Sequence, residues 1–357
     1  MNARETQAGL LLAVCIGWLP GLLDASAWGA CAMERERPDQ TGWFIRHLGE
    51  ECSEAERAAQ AVQADDVLSA LKAGKGVDLA GIVLAGDLLF DAVPAAAAGS
   101  DVPPALQESM PVGPVRRLAG PLMLTHSITR GAIGTRTEKN YLVIQGGMTA
   151  AGTTFEQPAD FSRTLFAGPS DFSGATFQAQ AFFIEARFAQ PARFERTAFG
   201  PHTRFHKAVL ADAAVFQGAT FNGLAEFLEV TFKKNANFSR AVFTMGTGFS
   251  GSRFQGMLDM SGAVFEREAF FTFTEFDGDA AFRGVTFKGT TDFSDARFQG
   301  ADDFSRTVFT VEPRFTRVKT SGERLPKGWL SDPRVLYGLA GLLLVAGLLL
   351  VWHLRRQ

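Results

Sequence analysis

The sequence predicts an all-β solenoid with four sides, and three observations carry that reading. From Phe155 a large apolar residue recurs at alternating steps of 6 and 5 residues, through Phe161, Phe166, Phe172 and Phe177 to Phe304, Phe309 and Phe315. The lattice has 30 positions; 28 are Phe, and the exceptions are Leu210 and Met260. The residue two places before a lattice position is usually small, as at Ala159, Ala175, Ala181, Ala192, Ala236 and Ala280. Gly stands two places after many of the Phe, as at Gly168, Gly223, Gly256, Gly278, Gly289 and Gly300.

These steps do not suit an amphipathic helix. At about 3.6 residues per turn they would carry the Phe all round the helix and leave no buried stripe. In an extended segment side chains alternate, so the small residue and the Phe face inward together and the residue between them faces outward. Thr176, Thr220, Val242 and Val264 hold that outward place, as the β-branched preference of strands expects. A corner follows each short face, and Gly there is expected to lower the cost of positive φ. Two steps of 6 and two of 5 close a coil of 22 residues with four faces. The lattice alone supplies about seven coils, stacked roughly 4.8 Å apart.

The segments S-D-F-S-G-A-T-F and T-D-F-S-D-A-R-F-Q-G-A-D-D-F-S resemble the pentapeptide-repeat family. The resemblance implies a right-handed quadrilateral β-helix whose interior is filled by a central Leu or Phe and a preceding Ala-like residue. One departure stands out: a strict member steps by 5 throughout, whereas every second step here holds an extra residue, such as Pro158, Pro169, Pro191, Asn235, Gly246 or Asp279. The extra residue is expected to widen alternate corners.

In chain order, residues 1–27 read as a secretory signal. Arg4 lies in a short polar start, an apolar stretch follows, and Ala25-Ser26-Ala27 offers a small-residue cleavage site. An uncleaved anchor is the alternative. Residues 28–76 are expected to form a helical N-terminal cap. A helix over 53–73 would start at a capping box of Ser53 and Glu56, bury Ala58, Ala61, Val62, Val67, Leu68 and Leu71, and end at Gly74 and Gly76. Such a helix would cover the aromatic core and the strand edge at the open end. After cleavage Cys31 and Cys52 remain; in an exported chain a disulfide is the simplest reading, two free thiols the alternative.

Residues 77–151 read as degenerate coils with a loop insertion rich in Ala, Pro and Ser, and residues 152–316 as the regular β-helix. Residues 317–334 are a polar linker. The apolar run 335–354 is long enough to span a bilayer as a helix. Arg355 and Arg356 in the tail 355–357 would place the C-terminus in the cytoplasm and the solenoid outside it.

Chemistry is sparse. The net charge of −3, from 35 Lys plus Arg against 38 Asp plus Glu, argues against a strongly basic nucleic-acid binder. No nucleophile elbow, phosphate-cradling loop or zinc-protease helix occurs, and no catalytic residue, metal or cofactor is expected. His202 and His206 have the i, i+4 spacing of a helical metal pair, but the segment is extended, so two solvated side chains are the plainer reading. With 22-residue coils, Asp171, Arg193, Val215, Asn237, Asp259, Ala281 and Asp303 stack in one column. Asp160, Phe182, Arg204, Glu226, Gly248, Phe270, Asp292 and Arg314 stack in another. Neither concentrates the paired carboxylates that glycan hydrolysis needs.

Phe182, Phe270 and Phe273 lie off the core lattice and are candidates for a contact surface, packing under a loop being the alternative. The expectation is therefore a non-enzymatic, membrane-anchored extracytoplasmic scaffold with a protein partner or self-association. Two alternatives belong to other classes. The resemblance implies a DNA-mimicking role that shields topoisomerase for some family members; the mixed face charges and export speak against it. A β-helical glycan-active enzyme would need a carboxylate groove.

Overall fold

A computed structural model describes residues 31–96, 103, 106, 114–135 and 140–321. The expected signal at 1–27, the linker beyond residue 321 and the apolar run 335–354 lie outside the described residues. Among the described residues no helix is long and apolar enough to cross a membrane.

Four sheets of 12, 11, 9 and 11 strands form the sides of a solenoid of about 11 turns. One coil runs from the first face at Met148–Thr149 through the second at Thr154–Phe155, the third at Ala159–Asp160 and the fourth at Thr164–Phe166. Each face pairs in parallel with the residue 22 positions on, Phe155 with Phe177 and Ala159 with Ala181. Backbone hydrogen bonds are thus satisfied between coils, and the lattice side chains are left to fill the interior.

The Phe form four columns along the axis. Successive rings stack, Phe155 on Phe177 at 4.6 Å and Phe216 on Phe238 at 4.6 Å, close to the pitch of the coils. The first-face and third-face columns meet edge to face, as in Phe183 against Phe194 at 5.5 Å and Phe205 against Phe216 at 5.5 Å. Both arrangements suit the ring quadrupole, adding about 0.5–1.5 kcal/mol per pair beyond burial. The small residues fill the slots between columns. Where the slot holds a hydroxyl, it often donates to a carbonyl of the preceding coil, as Thr197 Oγ1 does to Phe172 O at 2.7 Å and Thr274 Oγ1 to Phe249 O at 3.0 Å.

The corners are of two kinds. Three-residue corners, such as 156–158, take up the longer step. Two-residue corners, such as 162–163, take up the shorter one and place their second residue at positive φ. This corrects the expected role of the glycines. Gly223, Gly256 and Gly300 lie in three-residue corners and do not have positive φ. A Cβ on Gly223 would sit 1.9 Å from Pro201 O, and one on Gly300 2.4 Å from Gly278 C, so these glycines permit close stacking of corners. The left-handed positions often carry charged residues instead, including Arg163 at φ 52, Glu185 at 55, Lys207 at 56 and Asp295 at 60.

Two-residue corners are also set by Asp and Asn. Asp171, Asn237, Asp259 and Asp292 each accept from the backbone N–H two residues on, at 2.8 Å. The D-F-S motif is therefore a turn device: the acid initiates the corner, Phe enters the core and Ser occupies the turn.

The N-terminal part differs from expectation. In place of one helix over 53–73 there are α1 (Glu54–Ala59) and α2 (Ala64–Lys72). Between them Val62–Gln63 pairs with Val83–Ala85 and becomes the first strand of the second face. The capping box of Ser53 and Glu56 starts α1, which buries no residue. α2 buries Ala64, Val67, Ala70 and Leu71. Glu34–Arg35 and Trp43–His47 form an antiparallel pair, and the latter joins Gly76–Ala80 in parallel to begin the first face. Residues 76–96, 114–135 and 140–150 add coils with aliphatic cores, Leu79, Leu84, Leu122, Leu124 and Ile144 being buried, which is why the solenoid exceeds the seven coils of the Phe lattice. Cys31 and Cys52 are joined by a disulfide, their Cα atoms 5.2 Å apart.

Candidate functional site

The third face and its corner gather the three candidate Phe of the regular coils, Phe182, Phe270 and Phe273. Its outward column runs Asp160, Phe182, Arg204, Glu226, Gly248, Phe270 and Asp292 by direct strand register. Phe273 stands at the corner between the third and fourth faces, in the coil that carries Phe270.

Phe182 is half-buried and engaged within the chain. His202 meets its ring edge-on with centroids 6.0 Å apart, and the Arg204 guanidinium lies 5.7 Å over it. Glu226 gathers the two, accepting from Arg204 Nε at 2.6 Å and lying 3.0 Å from His202 Nε2. Burial pushes the Glu226 carboxyl up, but hydrogen bonds from His202 and Arg204 and the Arg204 charge outweigh it and hold it below the ordinary carboxylate range. Phe182 also lines one wall of a cleft of about 600 Å³ with Asp87, Arg130, Ile133 and Asp160. Asp87 accepts from Ala132 N and Asp160 from Ser162 N, both at 2.9 Å, so these acids help to fix local backbone.

Phe270 and Phe273 are different. They are 40% and 64% exposed, and Phe273 holds a left-handed φ of 57°, where most such corners carry Gly or a charged residue. A bulky side chain there is costly. Leu224 and Met245, 40% and 49% exposed, lie at the opposite edge of the same face in the two preceding coils. Sequence reasoning missed these two; folding the chain at a 22-residue period would have aligned them beside Phe270.

His202 and His206 do not converge, since His206 approaches Glu229 at 3.5 Å while His202 approaches Glu226. Among the described residues no cluster of three or more His, Cys, Asp or Glu could hold a metal. Charges along the corner column alternate in sign, pairing Arg163 with Glu185 at 3.0 Å, Lys207 with Glu229 at 3.8 Å and Asp295 with Arg317 at 2.5 Å. What the face presents is a set of exposed aromatic and aliphatic groups on a fixed ladder.

No curated protein and no solved structure matches the chain. The family model described as pentapeptide repeats (nine copies) matches at residues 150–198, 161–209, 205–253, 216–264 and 261–308. The likeness to pentapeptide repeats thus rests on the Phe-lattice coils within residues 150–308, somewhat under half of the chain.

Proposed function

We propose that this chain is a non-enzymatic protein-binding scaffold, held by residues 335–354 in a membrane with its solenoid outside the cytoplasm. The observation that carries the binding role is the gathering of Leu224, Met245, Phe270 and Phe273, four of the seven exposed large apolar residues among the described residues, around one face; Met257, Val308 and Val311 lie elsewhere. Solenoids offer long, regular faces to partners, and exposed apolar groups on such a face favour protein contact. The signal-like start, the apolar run and the bonding of Cys31 to Cys52 support the compartment.

The DNA-mimicking alternative is weaker, because a mimic of a phosphate backbone needs sustained negative columns, and these alternate in sign. Against the enzyme alternative, Asp171, Asn237, Asp259 and Asp292 of the faces are engaged in initiating corners.

Protease accessibility tests the compartment, with a tag inserted after Ser321 and digestion compared in intact cells, spheroplasts and lysed cells. Digestion of the solenoid before lysis is expected. Protection until lysis, with a periplasmic control already cut, would overturn the topology and return the topoisomerase-shielding reading to consideration.

A further inference from the structure

Phe182 aside, the larger exposed apolar groups of the third face lie within three consecutive coils, at residues 222–229, 244–251 and 266–273. Leu224, Leu228, Met245, Phe270 and Phe273 supply the apolar surface. Apart from Met245 at its edge, the middle coil presents little side chain, because Gly246, Gly248 and Gly251 occupy outward and corner positions. A Cβ on Gly246 would make ordinary contact, 3.6 Å from Leu224 Cδ1 and 3.8 Å from Glu268 Oε2, so close packing does not demand glycine there. Leu228 reaches over Gly248, where a Cβ would meet its Cδ2 at 2.9 Å. The result is a shallow apolar trough running along the strands, with Leu224 and Leu228 on one side and Phe270 and Phe273 on the other.

Its charge is one-sided. These three stretches carry Glu226, Glu229, Glu266 and Glu268 against the single cation Arg267. In register, Glu226 precedes Gly248, and Glu229 precedes Gly251 by the same 22 residues. The cations that pair with those two acids, Arg204 and Lys207, lie one coil farther from the trough. Glu266 is paired with Lys288 at 2.8 Å, in the coil beyond Phe270.

Resting on the protein-binding reading above, we propose that this trough docks an extended segment of a partner protein in which apolar side chains alternate with Lys or Arg. The extended part of the face runs from Gly246 through the strand Thr247–Gly248 to Phe249, before the turn at 250–251, which at about 3.3 Å per residue suits a peptide of a few extended residues. Apolar side chains of the segment would lie among Leu228, Phe270 and Phe273, and its cations would meet Glu226, Glu229 and Glu268. The strands are already paired on both sides, so recognition works through side chains rather than strand addition. The left-handed Phe273 is then retained for contact at a cost to the fold.

The test is a fluorescence-anisotropy titration of the full chain with a labelled Lys-Phe-Lys-Leu-Lys peptide, with Glu-Phe-Glu-Leu-Glu and Lys-Ser-Lys-Ser-Lys as controls. Saturable binding of the first alone is expected. The doubly substituted Phe270→Ser, Phe273→Ser chain and the trough-filling Gly246→Gln should each weaken it about tenfold or more, as loss of a central contact does. Val215→Ser on the first face should leave it unchanged. Phe273→Gly should weaken binding while raising the melting temperature, which separates a contact role from a structural one. Equal binding of the acidic peptide, no saturable binding of the basic one, or indifference to the three trough variants would each overturn the site. The protease experiment decides the compartment separately, so either reading can fall while the other stands.

Discussion

The aliphatic coils near the N-terminus and the Phe coils that follow share the same four ladders yet hold together differently. In the first, Leu79, Leu84, Leu122 and Leu124 fill the interior, helix α2 packs alongside and a disulfide ties Cys31 to Cys52. In the second, rings repeat at a fixed position in every coil, and no disulfide is found among its described residues. The difference teaches that parallel ladders specify the cross-section, while the side chains decide whether order arises from repetition or from particular, non-repeating contacts.

The largest expected effect breaks the repetitive half. Phe238 stacks on Phe216 at 4.6 Å and meets Phe227 edge-on at 5.3 Å. Phe238→Ala should cost about 3–5 kcal/mol, because the rigid columns cannot close the cavity. Hydrogen exchange should quicken in the coils adjoining residue 238 and little elsewhere, since each coil contacts only its neighbours. Uniform loss of protection across the rod would show instead that the coils open as one unit.

A smaller effect tests the other half. Replacing Cys31 and Cys52 with Ser removes a link across a separation of 21 residues, worth about 3 kcal/mol on the chain-entropy account. The loss should appear as faster exchange in the Trp43–His47 and Gly76–Ala80 strands, with the Phe coils unaffected. An unchanged exchange pattern would mean that α2 and the hairpin hold the end unaided.

How much of this was legible follows the same division. The Phe spacing gave the coil length, the four faces and the register, because one residue type marked 28 of the 30 lattice positions. The split of the expected helix was hidden: Val62 continues the helical apolar pattern of Ala58 and Ala61, and its pairing with Val83–Ala85 is a non-local contact. The role of the glycines was hidden too, since sequence does not separate a positive φ from the close approach of a neighbouring corner. Phe270 and Phe273 stood out as departures from the lattice, whereas Leu224 and Met245 became neighbours of them only once the coils were stacked.

The smallest prediction concerns a flaw within the repeat. Asp302 occupies an inward slot that in the same ladder from Ser170 onward holds Ala, Leu or Ser, pairing in register with Ala280. Burial pushes its carboxyl above the ordinary range; its own backbone N–H partly opposes this, and the Asp303 charge adds to the rise. The folded chain therefore holds this proton more tightly than the unfolded chain. Stability from the site is present at low pH and declines as pH rises through the raised value. Asp302→Ser should raise the melting temperature by roughly 1–3 °C at neutral pH, with the gain shrinking in acid below the unfolded carboxylate range. A gain that persists in acid would assign the effect to packing rather than to charge.

The 22-residue register makes length a quantity that changes in whole units. Removing residues 178–199 would join Phe177 to Gly200, which occupies the place Gln178 held, and every later residue would keep its face. The trough would move along the axis by about 4.8 Å without turning round it. Duplication would move it the other way by the same amount. Distance from the N-terminal end of the rod to the trough can thus be altered by gain or loss of coils while the trough residues themselves stay unchanged, so length and surface are free to evolve separately.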